Sequence, residues 1–350
     1  MSQSPGYFKN AAGKVGNFLD RISNIFDSED PIIILPYRGY ANETRIYVKG
    51  RVLENEDIFI GQTENKIQNL INTVKRFETD EMAFANVRIS IHNQVFDVET
   101  DTEGYFILDS EWNAPPKEKE NDWLTAQVEL IGLTNEDQAT ITATAEIYFP
   151  SKNADYGVIS DIDDTVLQSH TTSRFKLKML YATFLQDASK RLPMEGVVEL
   201  FQAFVKGGDG KRTNPIFYVS HSPWNIYDLL EQFMEMQKLP KGPLLLRDFG
   251  ITPSGEYSNH KITTIKHILA MYPNIPFVLL GDASQKDADF YLELAKSFPD
   301  RIKAIYIRKN KDNKNARRSA ELIEANSNIN AILVNSSAEM IAHGKQHGLL

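Results

Sequence analysis

The sequence predicts an α/β chain in which an N-terminal β-sandwich is followed by a parallel sheet wrapped by helices. Residues 31–150 hold short runs in which polar and apolar residues alternate, as half-buried strands do. From residue 155 onward, continuous apolar runs alternate with helical stretches, the pattern of strands buried on both faces. The chain has 350 residues, longer than the roughly 250–300 at which a single core stops growing. Two cores are therefore expected.

At 42% hydrophobic and 24% charged residues, the composition is that of an ordinary globular protein and excludes disorder or a low-complexity fibre. The absence of cysteine excludes disulfides, thiolate zinc sites and cysteine nucleophiles. The sequence contains no apolar run of about eighteen residues, and Met1 to Lys14 lacks the charged, apolar and cleavable parts of a leader. The expected location is cytoplasmic, with peripheral membrane association left open. The net charge of −9 divides unevenly, with −12 on residues 1–150 and +3 on residues 151–350. The second half can thus accept an anionic partner, although so small an excess is also an ordinary solvated surface.

Residues 1–30 hold the first element. Phe8, Ala12, Val15, Leu19, Ile22 and Phe26 recur at spacings of four and three, one stripe of an amphipathic helix. It would lie either on a membrane, with Lys9, Lys14 and Arg21 outward, or on protein. The narrow stripe and weakly basic face favour protein. Strands follow at Ile32–Leu35, Thr44–Leu53, Val87–Ile91, Gln94–Glu99, Gly104–Leu108, Trp123–Leu130 and Ala139–Phe149. Ile67, Leu70, Ile71 and Val74 interrupt them with helical spacing. Close strands with turn signals predict an antiparallel sandwich over 31–150. Asp101 to Phe106 resembles the turn into a strand of transthyretin-like or carboxypeptidase-regulatory sandwiches.

The buried runs of the second domain, 155–350, are Tyr156–Ile162, Pro215–Val219, Leu244–Leu246, Pro276–Leu280, Ile302–Ile307 and Ala331–Val334. Ligands of such sheets bind beyond the carboxyl ends of the strands. The first run leads into Asp161, Asp163 and Asp164, three carboxylates in four positions. Their mutual repulsion at a strand tip calls for a compensating hard divalent cation or protons. The fourth run ends in Gly281-Asp282 and continues to Lys286 and Asp287. The second ends in Ser220-His221-Ser222-Pro223-Trp224, whose hydroxyls could donate to an anion or cap the next helix. His260-Lys261 opens a helix ahead of the fourth run.

Taken in order, strand–Asp-x-Asp-x-Thr, strand–Ser, Lys and strand–Gly-Asp resemble the four motifs of haloacid dehalogenase superfamily phosphotransferases. Residues 160–166, 218–224, 260–261 and 281–287 more narrowly resemble the catalytic domain of actin-patch-protein type phosphatidate phosphatases. Tyr37-Arg38-Gly39-Tyr40 and Gly50-Arg51-Val52 look like that family's N-terminal segment. His221, Ala283 and Ala288 depart from its pattern.

The resemblance implies a Rossmann-like haloacid dehalogenase domain that hydrolyses phosphatidate to diacylglycerol and phosphate. In it Asp161 is the nucleophile and Asp163 the acid and base. Ser220 and Lys261 hold the phosphoryl oxygens, and Thr165 braces the loop beside them. Mg²⁺ is held by Asp161, the Asp163 carbonyl and Asp282, while Asp287 orients Lys286 or a metal-bound water. An acid at Asp163 suits an alkoxide leaving group and is superfluous for a halide.

The substrate is thereby expected to be a phosphorylated lipid. A soluble phosphomonoester or phosphoprotein is the alternative with the same chemistry. A third reading makes the sandwich an interaction module and the phosphatase domain a scaffold. Arg174, Lys176 and Lys178 among Phe175, Leu177, Met179 and Leu180 fit an anionic headgroup at a membrane, or an ordinary helix packed on the sheet. The basic run 308–318 lacks aromatic residues, so no nucleic-acid partner is expected. The sequence leaves the oligomeric state undetermined.

Overall fold

A computed structural model of the chain describes residues 32–54, 81–114, 122–132, 140–162, 196–247, 260–283, 286–309 and 312–350. The stripe from Phe8 to Phe26, the helical spacing at Ile67 to Val74 and the basic stretch at 174–180 lie outside these residues.

Eight strands build the first sheet: β1 (Ile32–Pro36), β2 (Gly39–Ala41), β3 (Arg45–Glu54), β4 (Asn86–Ile91), β5 (Gln94–Glu99), β6 (Tyr105–Glu111), β7 (Trp123–Ile131) and β8 (Thr142–Tyr148). They are hydrogen-bonded into one sheet of order β1-β3-β2-β8-β7-β4-β5, with β6 on β3. The expected antiparallel sandwich is thus observed as a continuous mixed sheet, since β2 and β8 run parallel. The ten-residue β3 makes this possible. Its start pairs with β2, its end with β1, and its length with β6 from Arg45 opposite Glu111 to Arg51 opposite Tyr105. The apolar partners of the alternation, among them Ile46, Val48, Val52, Val87, Ile89, Phe106, Val128 and Ile147, are fully buried. The turn before β6 forms as its residue types predict. Asp101 Oδ1 accepts the amides of Glu103 and Tyr105 at 2.8 and 2.9 Å, and Gly104 takes φ of +75°, a region that side chains disfavour.

The second sheet comprises β9 (Gly157–Asp161), β10 (Ile216–Pro223), β11 (Leu244–Arg247), β12 (Phe277–Asp282), β13 (Ile302–Arg308) and β14 (Ala331–Val334). Every pairing in it is parallel, and its order is β11-β10-β9-β12-β13-β14. Helices α1 (Val197–Lys206), α2 (Tyr227–Met236), α3 (His260–Met271), α4 (Asp287–Ser297), α5 (Lys314–Glu324) and α6 (Ser337–Gln346) accompany the strands. Chain direction across the sheet reverses between β9 and β12, the switch point where open α/β sheets bind ligands.

The two sheets share apolar packing. Tyr37, Tyr40, Tyr105 and Tyr148 of the first belong to the same buried cluster as Phe217, Trp224, Tyr227 and Tyr272 of the second. Tyr37 stacks on Trp224 with ring centroids 4.4 Å apart, and Tyr40 meets Phe217 edge-on at 5.6 Å. At about 25 cal/mol per Å² and roughly 150–250 Å² per aromatic side chain, each such ring contributes about 4 kcal/mol before ordering costs. Polar tips are satisfied across the same seam. The Arg38 amide donates to the Tyr227 hydroxyl at 3.0 Å, and the Tyr272 hydroxyl to the Ala41 carbonyl at 3.1 Å.

The Arg38 guanidinium, also buried, reaches Glu146, Glu231 and Glu235 at 3.3, 3.0 and 3.1 Å. Burial pushes the Glu231 carboxyl above its ordinary range, against the pull of Arg38.

Candidate active site

Parallel pairing sets the level of the strand tips. Asp161 on β9 is opposite Val219 on β10, and Ser160 is opposite Leu280 on β12. Ser220 and Asp282 therefore stand one residue beyond the level of Asp161, on its two neighbouring strands. Ser220 is fully buried, and its Oγ accepts the amide of Ser222 at 2.9 Å.

Lys261, in the first turn of α3, is fully buried as well. Its Nζ lies 2.9 Å from Asp161 Oδ2 and 2.9 Å from Asp287 Oδ1. An ammonium without solvent is costly unless paired, and two carboxylates flank this one. Asp287 opens α4, where a carboxylate also complements the partial positive charge of the helix terminus. Its Oδ2 accepts the amide of Asp282 at 3.2 Å, so one side chain ties the lysine to the tip of β12. The approach is possible because residue 281 is glycine. A Cβ there would stand 2.5 Å from Asp287 Oδ2 and 2.8 Å from the Tyr291 ring. Tyr291 closes the arrangement beneath by donating to the Leu280 carbonyl at 3.2 Å, and burial raises its phenol well above the ordinary value.

Asp161, Asp282 and Asp287 each offer an oxygen within 4.8 Å of the others. Three hard oxygen donors with only one interleaved ammonium fit a divalent cation that prefers oxygen. Asp161 and Asp287 both pair with Lys261, and together with Asp282 they are the carboxylates that could hold the ion.

Of the residues singled out in the sequence, Asp161, Ser220, Lys261, Asp282 and Asp287 come together here. Asp163 and Thr165 lie outside the described residues. Asp287 was expected to orient Lys286 or a metal-bound water, and its contacts are instead with Lys261 and Asp282. Lys286, the residue before α4, lines an outer groove of about 530 Å³ with Lys266, Phe290 and Arg318. Sequence reasoning left His221 unassigned, and did not foresee that its ring would meet His260 edge-on with centroids 6.3 Å apart. His221 directly follows Ser220 and His260 directly precedes Lys261, and that adjacency was the available signal.

The match to known families covers these same elements. Residues 156–309 match the family model described as phosphatidate phosphatase APP1, catalytic domain. This segment resembles an APP1-type catalytic domain. Phosphatidate phosphatase APP1 of Saccharomyces cerevisiae is 33% identical over 156 residues, which is 43% of this chain and 25% of that protein. An uncharacterized protein of Schizosaccharomyces pombe is 28% identical over 220 residues, covering 61% of this chain and 34% of its own length.

The chain thus spans a quarter to a third of the length of these curated relatives. Among solved structures, a carbohydrate acetylesterase from Xanthomonas citri aligns with a TM-score of 0.28 at 8% identity, over 86% of this chain and 75% of that one. So low a score carries no argument. All the constellation residues, from Asp161 to Asp287, fall inside the segment matched by that family model. Among the described residues no helix is long and apolar enough to cross a membrane.

Proposed function

We propose that this chain is a Mg²⁺-dependent phosphatidate phosphatase. In this reading residues 155–350 form a Rossmann-like haloacid dehalogenase domain, and residues 31–150 form an accessory sheet folded in the manner of a sandwich. One observation carries the proposal: Asp161, Lys261, Asp282 and Asp287 meet at the switch point of a parallel sheet, inside the segment that matches the APP1 catalytic family.

Hydrolysis of a phosphate monoester is among the slowest uncatalysed reactions, so the site must supply a nucleophile, a proton and charge neutralisation. Asp161 attacks phosphorus through a carboxylate oxygen and becomes an aspartyl-phosphate as the bond to the lipid oxygen breaks. Asp163, two residues on, gives its proton to the departing alkoxide, which leaves as diacylglycerol. The resulting Asp163 carboxylate takes a proton from water, whose oxygen then attacks phosphorus and releases inorganic phosphate and Asp161. Lys261 and the Ser220 hydroxyl hold the phosphoryl oxygens, and the lysine's charge offsets the negative charge that grows on them.

Asp287 keeps that lysine charged and aimed at Asp161, and Thr165 braces the loop. Mg²⁺, when bound by Asp161, Asp282 and the Asp163 carbonyl, supplies the remaining neutralisation. The proximity of Asp161, Lys261, Asp282 and Asp287 supports their proposed roles, whereas those of Asp163 and Thr165 rest on the family motif. The same set of residues argues against a purely scaffolding domain.

Phosphate release from vesicles containing phosphatidate, compared with release from soluble esters, tests the substrate. The expected result is Mg²⁺-dependent release with strong preference for vesicles, peripheral binding to them and loss on chelation. Equal turnover of soluble esters without vesicle binding would shift the substrate to a soluble phosphomonoester or phosphoprotein. Full activity of Asp161→Asn would overturn the mechanism itself.

A further inference from the structure

We propose that Lys49 and Tyr37 of the first sheet are positioning residues for phosphate binding: they clamp Trp224 and through it hold the loop that aims Ser220. Their role presupposes the phosphate contact proposed for Ser220, and it makes the first sheet a working part of the site. The Tyr37 ring stacks on Trp224 with centroids 4.4 Å apart and planes inclined by 19°. The Lys49 Nζ atom lies 5.0 Å from the centroid of the same indole and 4.7 Å from that of the Tyr105 ring. Trp224 and Lys49 are each only 4% exposed.

The clamp is stiff for identifiable reasons. An ammonium withdrawn from water needs compensation, and the negative faces of aromatic rings supply it, most strongly where solvent is excluded. Lys49 and Arg51, two residues apart on β3, point to the same face of the sheet. The Arg51 guanidinium carbon lies 4.6 Å from the Tyr105 centroid, so two cations fix the tyrosine that flanks Lys49. The Tyr37 amide donates to the Lys49 carbonyl at 2.9 Å, and backbone thereby joins the two jaws.

What the clamp holds is the end of an irregular loop. β10 stays in register with β11 as far as Val219 opposite Leu245, and pairing resumes at Pro223 opposite Arg247. Ser220, His221 and Ser222 therefore bulge out of the ladder, an irregularity of the kind that re-aims side chains beside active sites. Upstream the loop is pinned by the pairing of Val219 with Asp161. Downstream it runs through Pro223 into the short turn Trp224–Ile226, whose first residue is the clamped indole. The Ser222 amide donates to Ser220 Oγ at 2.9 Å, so the course of the loop sets the position of the hydroxyl. A hydroxyl serves a phosphoryl oxygen only at hydrogen-bond distance. A loosened Trp224 would thus weaken the contact from Ser220, while Lys261 keeps its own anchors on α3 and α4.

Calorimetric titration of the full chain with inorganic phosphate, in excess Mg²⁺, provides the test. Lys49→Met and Tyr37→Leu should each weaken phosphate binding roughly fivefold, the scale of one misplaced hydrogen bond, in protein that circular dichroism shows to be folded. Lys49→Arg keeps a cation over the rings and should recover most of the affinity. In a Ser220→Ala background neither substitution should weaken binding further, a non-additivity that mere destabilisation of the seam would not produce. Parent affinity in the folded variants, or undiminished effects on top of Ser220→Ala, would overturn the positioning role and leave the proposed function standing. A parent chain that binds no phosphate would overturn both.

Discussion

The Nζ atom of Lys261 lies 2.9 Å from Asp161 Oδ2, and neither side chain is more than 3% exposed. The same ammonium is 2.9 Å from Asp287 Oδ1, so a single buried cation bridges the tip of β9 and the start of α4. Removing one member of a buried ionic group leaves the others uncompensated, at a cost of about 3–5 kcal/mol. Lys261→Met should therefore lose both activity and stability, the latter by about that amount in chemical denaturation. Asp161→Asn preserves the shape and removes the nucleophile. It should abolish turnover, by about a thousandfold or more, while its denaturation midpoint moves less than that of Lys261→Met, because Asp287 still pairs with the lysine.

Gly281→Ala tests the closeness of Asp287. The added Cβ would stand 2.5 Å from Asp287 Oδ2 and 2.8 Å from the Tyr291 ring. Overpacking of this kind costs about 1–3 kcal/mol. The carboxylate must turn away and loosen its hold on Lys261, so kcat should fall at least tenfold, by a rough scale of one misplaced charge-assisted hydrogen bond. Kinetics and a melting curve on the same preparation would measure both effects.

Across the seam between the sheets, Arg38→Met should destabilise the chain by about 3 kcal/mol, because Glu231 loses its buried cationic partner. Burial already raises the Glu231 carboxyl, and the substitution should raise it further. Adding Glu231→Gln should then recover part of the loss. A double-mutant cycle in urea would read the coupling, and strict additivity would rule it out.

Asp109 gives the pH dependence of the same seam. Burial raises its carboxyl, but the Arg45 hydrogen bond and His267 outweigh this and hold it below the ordinary range. A carboxyl depressed in the fold stabilises above its unfolded value of about 3.9, and that contribution is lost as pH falls through the folded value. Asp109→Asn should accordingly destabilise at pH 6 and matter progressively less below about pH 4. Urea midpoints compared across this range check the sign.

The strand tips were legible where the argument was local. Apolar runs ending in Asp161, Ser220 and Asp282 mark strand tips because continuous hydrophobicity requires burial on both faces, and polar residues can end such a run only at the rim. Asp101 to Tyr105 was legible for a similar reason, since its turn is made from its own side chain and backbone. The contact of Asp287 with Lys261 was not legible in the sequence. At the first turn of α4 its carboxylate points back to Lys261, 26 residues away in the chain.

By itself, the sequence determined the strands, their order along the chain and the residue types at the ends of the parallel ones, because periodicity and turn chemistry act over a few residues. Tertiary structure decided which carboxylate holds Lys261. It also joined the seven expected runs, together with β2, which was not foreseen, into one mixed sheet, and packed Tyr37 and Tyr40 against Trp224 and Phe217. Those outcomes depend on strand pairing and on close contacts between residues distant in the chain. Alternation shows that a strand has a face to bury, but the partner for that face is chosen only when the chain folds.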